Sequence, residues 1–257
     1  MEPQFVTTQQ SSESTPALLF NNVSKTFPDG TRALEDISFS IEPGEFVTVV
    51  GPSGCGKSTL LRIASHLEEC SSGSYVIDES SIGYVFQDAT LMPWRTVQRN
   101  VELIAELHKI DKVTRSRLVQ EAISLVGLSG FEDKYPRQLS GGMKMRASLA
   151  RSLVLKPKVF LFDEPFGALD EITRERLNDE LLRLFQLEGF AGLFITHSIS
   201  EAVYMSTRVM VMSARPGRIT HTFDIPFAFP RTHDLRYEPE FARICGEISH
   251  ALRGEIK

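Results

Sequence analysis

The sequence predicts an α/β protein in which a core of buried strands and helices follows an antiparallel β unit and is interrupted by an all-helical insertion. Three observations predict it. The β-branched run Phe46-Val47-Thr48-Val49-Val50 passes through a glycine-rich loop directly into an apolar helix. Strand and helix patterns alternate again from residue 159 to residue 212. Between them, residues 96–155 carry helical periodicity and no strand signal.

Taken in order, residues 1–17 are rich in Gln, Ser and Thr, with neither a basic start nor an apolar stretch. They read as a disordered tail, not as a signal peptide. Residues 18–40 alternate apolar runs, Leu18-Leu19-Phe20 and Ile37-Ser38-Phe39, around Pro28-Asp29-Gly30, which predicts an antiparallel meander. After the strand at 46–50 comes the helix carrying Leu60, Leu61, Ile63 and Ala64, then a strand at 82–86. The helical insertion spans about 88–155. In it, Leu118, Ala122, Leu125 and Val126 form one face of a helix that stops at Gly127, and a second helix is expected over 144–155. Strands follow at 159–162, 192–196 and 208–212, with a helix bearing Leu177, Leu181 and Leu184 among them. Arg215-Pro216-Gly217-Arg218 marks a hairpin. The main domain is expected to run from 18 to 225. Residues 226–257 form an extension whose helix, 239–253, aims Phe241, Ile244, Ile248 and Leu252 at the core.

Composition excludes several classes. Of 257 residues, 42% are apolar and 24% charged, which does not suit a disordered chain. No uncharged apolar stretch approaches the ~18–20 residues of a bilayer-spanning helix. A net charge of −5 offers no general attraction for nucleic acid. Cys55, Cys70 and Cys245 are scattered, without the spacing of a zinc site or a disulfide framework.

The loop Gly51-Pro52-Ser53-Gly54-Cys55-Gly56-Lys57-Ser58 fits G-x-x-x-x-G-K-[ST] between a strand and a helix. A polyphosphate needs a concave ring of backbone N–H groups, and glycines let the chain curl that tightly. The helix N-terminus adds its dipole. These eight residues and the following Thr59 are the candidate nucleotide-binding set. Lys57 is expected on the β- and γ-phosphates and Ser58 on Mg²⁺. Cys55 is expected to serve through its backbone, with a thiol that stays accessible when no nucleotide is bound.

Val159-Phe160-Leu161-Phe162-Asp163-Glu164 is an apolar strand ending in two acids. A carboxylate at the tip of a buried strand is costly unless it serves a cation or a network. Asp163 is therefore a candidate Mg²⁺ ligand, and Glu164 a candidate base for the water that attacks the γ-phosphate. Leu139-Ser140-Gly141-Gly142-Met143 opens a helix, Gln87 follows one strand, and His197 follows Leu193-Phe194-Ile195-Thr196. In this joint order the pieces resemble the ATP-binding subunit of ABC transporters, over residues 18–213.

The resemblance implies a P-loop NTPase (RecA-like) core with an N-terminal antiparallel β-subdomain and an inserted α-helical subdomain, binding ATP and Mg²⁺. It places Phe27 on adenine, Gln87 at the Mg²⁺ and water shell, and His197 on the γ-phosphate. It makes Ser140, Gly141 and Gly142 the signature loop that caps ATP held by a second subunit. Asp170, in Gly167-Ala168-Leu169-Asp170, joins the two sites. The expected catalytic residues are thus Lys57, Gln87, Glu164 and His197, and the metal residues Ser58, Gln87 and Asp163. The expected partners are a second copy docked head-to-tail, separate transmembrane permease subunits and an extracytoplasmic solute-binding protein. The subunit would lie on the cytoplasmic face of the inner membrane.

Leu91-Met92-Pro93-Trp94-Arg95-Thr96-Val97 and Asp163-Glu164-Pro165-Phe166 look like the nitrate, sulfonate and taurine importer group. Glu171-Ile172-Thr173-Arg174 looks similar to members handling pyrimidine-type vitamin precursors. Trp94 belongs either at the permease contact or in the local core, and Arg95 is expected exposed. An ABC-type ATPase acting on DNA or ribosomes, and a small-molecule kinase, are the competing classes. The first usually brings tandem domains, coiled coils or zinc modules. The second gives no reason for Leu139-Ser140-Gly141-Gly142-Met143.

Overall fold

Strands β1 (Leu18–Thr26) and β2 (Arg32–Ile41) pair antiparallel around Pro28-Asp29-Gly30, with Leu18 opposite Ile41 and Phe20 opposite Phe39. A computed structural model of the chain describes residues 15–77 and 82–254. Residues 1–14 of the expected tail lie outside the described residues, while the Ala17 N–H already donates to Ile41 O at 2.8 Å.

β3 (Phe46–Val50) leads into α1 (Lys57–Ala64), and β4 (Ser72–Ile77) then returns to pair with β1 in a three-stranded sheet. β4 has no counterpart among the strands expected from the sequence. Only Ile77 of this strand is buried, so the apolar alternation that reveals a strand is missing.

β5 (Ile82–Val85) precedes the insertion, which contains α2 (Val97–Leu107), α3 (Lys112–Leu125) and α4 (Gly141–Leu153). The core then continues through β6 (Val159–Asp163), α5 (Glu171–Glu188), β7 (Ala191–Ile195), α6 (Ile199–Met205), β8 (Arg208–Met212) and β9 (Ile219–Asp224). The second sheet has the order β5-β6-β7-β3-β8-β9, parallel except for the final antiparallel strand. The predicted α/β class is what the chain adopts.

Alternate residues of these strands serve opposite faces, as the two-residue period requires. Val47, Val49, Leu161, Leu193 and Met210 pack with α1 and the three-stranded sheet. Phe46, Val50, Phe162, Phe194 and Val211 pack toward the helices of the other face. Phe46 touches Phe162, Phe185 and Phe194, with ring centroids 5.3–5.9 Å apart.

Two details of the insertion differ from expectation. On α3 the buried face is Val119, Ala122 and Ile123, with Leu118 and Leu125 only half-buried at its margin. The face is rotated because it packs against both α2 and α4, which the local sequence does not reveal. α4 begins at Gly141 rather than near 144, because the Ser140 side chain caps it.

Beyond β9, a 3₁₀ turn (His233–Tyr237) precedes α7 (Pro239–Leu252). Phe241, Ile244 and Ile248 are buried in the same core as α5 and α6. Half-buried Arg231 donates to the Val203 and Tyr204 carbonyls at 3.0 and 2.7 Å, gripping the end of α6. Among the described residues no helix is long and apolar enough to cross a membrane.

Candidate nucleotide site at the carboxyl ends of the strands

The parallel strands deliver their functional residues to one edge, where open α/β sheets take ligands. The glycine loop follows β3, Gln87 lies two residues beyond β5, Asp163 ends β6, and His197 lies two residues beyond β7. A cavity of about 380 Å³ opens there, lined by Ser53, Gly54, Gly56, Lys57, Ser58, Thr59, Gln87, Asp163, Glu164 and Arg215. The structure therefore brings together residues that lie far apart in the chain, Ser58 and Asp163 among them.

Gly56 is required by its geometry. Its φ is +114°, and a Cβ would stand 2.7 Å from Ala33 O. It caps α1 without a side chain, which leaves the first N–H groups of that helix to meet an anion. The Lys57 ammonium lies over the loop and donates to Gly51 O at 2.8 Å and Pro52 O at 3.0 Å. The Cys55 thiol is not accessible, contrary to expectation. Cys55 is 1% exposed, packed with α1 and β3, and its sulfur is 3.9 Å from Lys57 Nζ. A reagent cannot reach it in this state, because the residue is buried beneath the loop, with its carbonyl against Gly217.

Ser58 Oγ donates to Asp163 Oδ1 at 3.0 Å, and Tyr84 bonds the same carboxylate. Burial, with the Glu164 charge adding to it, holds the Asp163 carboxyl above the ordinary carboxylate range, while the Ser58 bond opposes this. A hydroxyl, a carboxylate and the Gln87 amide thus share one cavity. Such a hard-oxygen donor set fits Mg²⁺.

Glu164 has φ +46°, a conformation uncommon for any residue with a side chain. It is held there by its own N–H on Ile195 O at 3.0 Å and by Gly167 N–H on its carbonyl at 3.1 Å. Glu164 Oε2 lies 3.2 Å from His197 Nδ1. The backbone behind His197 is secured by Thr196, whose hydroxyl donates to buried Glu201 and accepts from Ser198 N–H.

Ser140, Gly141 and Gly142 are not in this cavity. Ser140 Oγ accepts from Met143 N–H at 3.3 Å, and the exposed start of α4 borders a separate cleft with Met143, Arg146, Thr173 and Arg176. Asp170 caps α5 by accepting from Thr173 N–H at 2.9 Å, and that bond holds its carboxyl below the ordinary value. Phe27 is half-buried just beyond β1, with Lys25 Nζ 5.3 Å from its ring centre, and it does not line the phosphate cavity.

The segment after Gln87 is braced from both sides. Buried Asn100 bonds the backbone of Met92, Arg95 and Thr96, and Arg151 of α4 donates to Ala89 O and Thr90 O. Trp94 is 72% exposed, so it is not local core. Arg95, expected exposed, is half-buried and pairs with Glu106 at 2.7 Å. Sequence reasoning missed Tyr84 and Arg215. Tyr84 lies within the expected strand at 82–86 and Arg215 within the expected hairpin turn, and neither place carries a local signal of a site.

Fold and cavity together define a phosphate-loop ATPase of mixed α/β architecture. The family model described as ABC transporter matches residues 34–167, and the chain belongs to that family. An uncharacterized ABC transporter ATP-binding protein of Methanocaldococcus jannaschii is 45% identical over 249 residues, covering 93% of this chain and 92% of its own. The aliphatic sulfonates import ATP-binding protein SsuB of Bacillus anthracis is 44% identical over 221 residues, covering 82% of this chain and 87% of its own. Among solved structures, the ATP-binding cassette MJ0796, a dimer in a post-hydrolysis state bound to ADP and Pi, superposes with TM-score 0.71 at 30% identity. That match covers 82% of this chain and 100% of the other. The cbiO1 protein of Clostridium perfringens, part of the ABC transporter complex cbiONQ, gives TM-score 0.77 at 27% identity, covering 91% and 99%.

Proposed function

We propose that the chain is the ATP-hydrolysing motor of an ABC importer, working as a head-to-tail dimer on the cytoplasmic face of the inner membrane. Its partners would be separate permease subunits and an extracytoplasmic solute-binding protein. The solute would be a small organic anion of the sulfonate class, a reading supported by the named activity of the Bacillus relative. The observation that carries the motor reading is the division of the chemistry. One cavity holds Lys57, Ser58, Gln87, Asp163 and Glu164, while Ser140 and Gly142 border a different cleft.

In this mechanism loop 51–58 and the first turn of α1 hold the polyphosphate, and Lys57 exchanges loop carbonyls for phosphate oxygens. Ser58, Gln87 and Asp163 would hold Mg²⁺, which when bound neutralises charge on the phosphates. Glu164 takes the proton of the water whose oxygen attacks the γ-phosphorus. The bond from that phosphorus to the bridging oxygen breaks, and ADP leaves with the electron pair. His197, beside Glu164, steadies the attacking geometry. The exposed, Ser140-capped N-terminus of α4 from the second copy covers the far side of the γ-phosphate. ATP thereby joins two copies, and hydrolysis releases them. Replacing Glu164 by Gln keeps the shape and removes the base. Glu164→Gln is expected to bind ATP normally, to run as a dimer with ATP in size exclusion, and to lose ~100-fold or more of its phosphate release. Unchanged turnover would falsify the role of Glu164.

A further inference from the structure

The turn between β8 and β9 belongs to none of the motifs above, yet it is built against the phosphate loop. Gly217 N–H donates to Ala33 O, and Gly217 O accepts from Glu35 N–H, both at 2.9 Å, so the turn is laced to β2. A Cβ on Gly217 would stand 2.3 Å from Cys55 O, which shows how closely the two loops approach. Ser213 Oγ donates to Pro216 O and accepts from Arg218 N–H, each at 3.0 Å. Arg218 pairs with Glu35 at 2.7 Å.

This fastened turn carries Arg215 to the cavity wall. Its Nε and Nη2 donate to Gly54 O at 3.1 and 2.8 Å. Those bonds use two of the five guanidinium donors, and among the described residues the other three meet no hydrogen-bond partner. The cavity holds two carboxylates, Asp163 and Glu164, against Lys57, whose ammonium lies on the loop's own carbonyls. A nucleoside triphosphate brings several more negative charges into it. A planar fork already anchored on the loop loses little freedom in taking a phosphate oxygen.

We infer that Arg215 is a second cationic contact for the polyphosphate of a bound nucleoside di- or triphosphate, holding Gly54 O with part of its fork and a phosphate oxygen with the rest. The inference rests on the reading of loop 51–58 as the phosphate site. It is tested by equilibrium titration of the full chain with ATP and with ADP, at low and high salt, for the wild type, Arg215→Lys, Arg215→Gln and Lys57→Ala. Arg215 is exposed, so neither substitution removes core packing. Gln can still donate to Gly54 O but has no charge, whereas Lys keeps the charge.

Arg215→Gln is expected to bind both nucleotides roughly 10-fold more weakly, as loss of a charge-assisted bond predicts. Arg215→Lys should stay within roughly 3-fold of wild type, and the gap between them should shrink at high salt. Wild-type affinity in Arg215→Gln, or equal losses in both variants without salt dependence, overturns the inference and leaves Arg215 a latch for the loop. If the wild type binds no nucleotide and matches Lys57→Ala, the phosphate-loop reading itself fails, and the inference with it.

Discussion

Asp163 ends a buried strand, and its carboxyl is held above the ordinary value chiefly by loss of water. The folded protein therefore binds this proton more tightly than the unfolded chain. The contribution to stability is present at low pH, below the unfolded value, and is lost as pH rises through the folded one. At neutral pH the buried charge is a cost that a cation would offset. Asp163→Asn is thus expected to raise the unfolding midpoint of the nucleotide-free protein by a few degrees at pH 7 and to show little gain at pH 4. The same variant should hydrolyse ATP on the order of 100-fold more slowly. Calorimetry at the two pH values, beside phosphate release, checks both. A variant neither more stable nor less active would contradict the role given to this carboxylate. Glu164 makes a similar point through the backbone, since φ +46° is kept by two hydrogen bonds that aim its carboxylate toward His197.

At the scale of elements, the extension beyond β9 is part of the core rather than an appendage. Ile248 is fully buried among residues shared with α5 and α6. Ile248→Ala should cost about 2–5 kcal/mol of stability through lost burial and a residual cavity, measured by denaturant unfolding. ATP affinity at room temperature should persist, because α7 lies outside the phosphate cavity. A loss below ~1 kcal/mol would mean that the helix is not packed as described. The elements also show where local pattern stops informing. Strands β3 and β6 through β8 are readable because both faces are buried and the runs are apolar but for Thr48 and the end residues Asp163 and Arg208. β4 is not readable, since it is an edge strand with one buried side chain. The face of α3 follows its partners, which sequence periodicity cannot name.

The whole molecule presents the two halves of the proposed site in separate clefts. Ser140 and Gly141 are exposed, and Gly142 borders a cleft that shares no residue with the phosphate cavity. A bulky cation there should obstruct a partner without touching the chain's own loop. Ser140→Arg is accordingly expected to keep monomeric ATP affinity within ~3-fold, while ATP-dependent dimers disappear from sedimentation profiles and turnover falls roughly 100-fold. If monomeric binding vanished instead, the assignment of Ser140 to the second copy's nucleotide would be wrong. The sequence by itself determined which residues form the glycine loop and the acidic strand end, because each depends on residue type and short spacing. Only the tertiary structure decided that Cys55 points into the core, that Trp94 stands in solvent, and that Arg215 faces the same cavity as Glu164. Those outcomes depend on which strand ends neighbour one another across the sheet, and long-range packing sets that order.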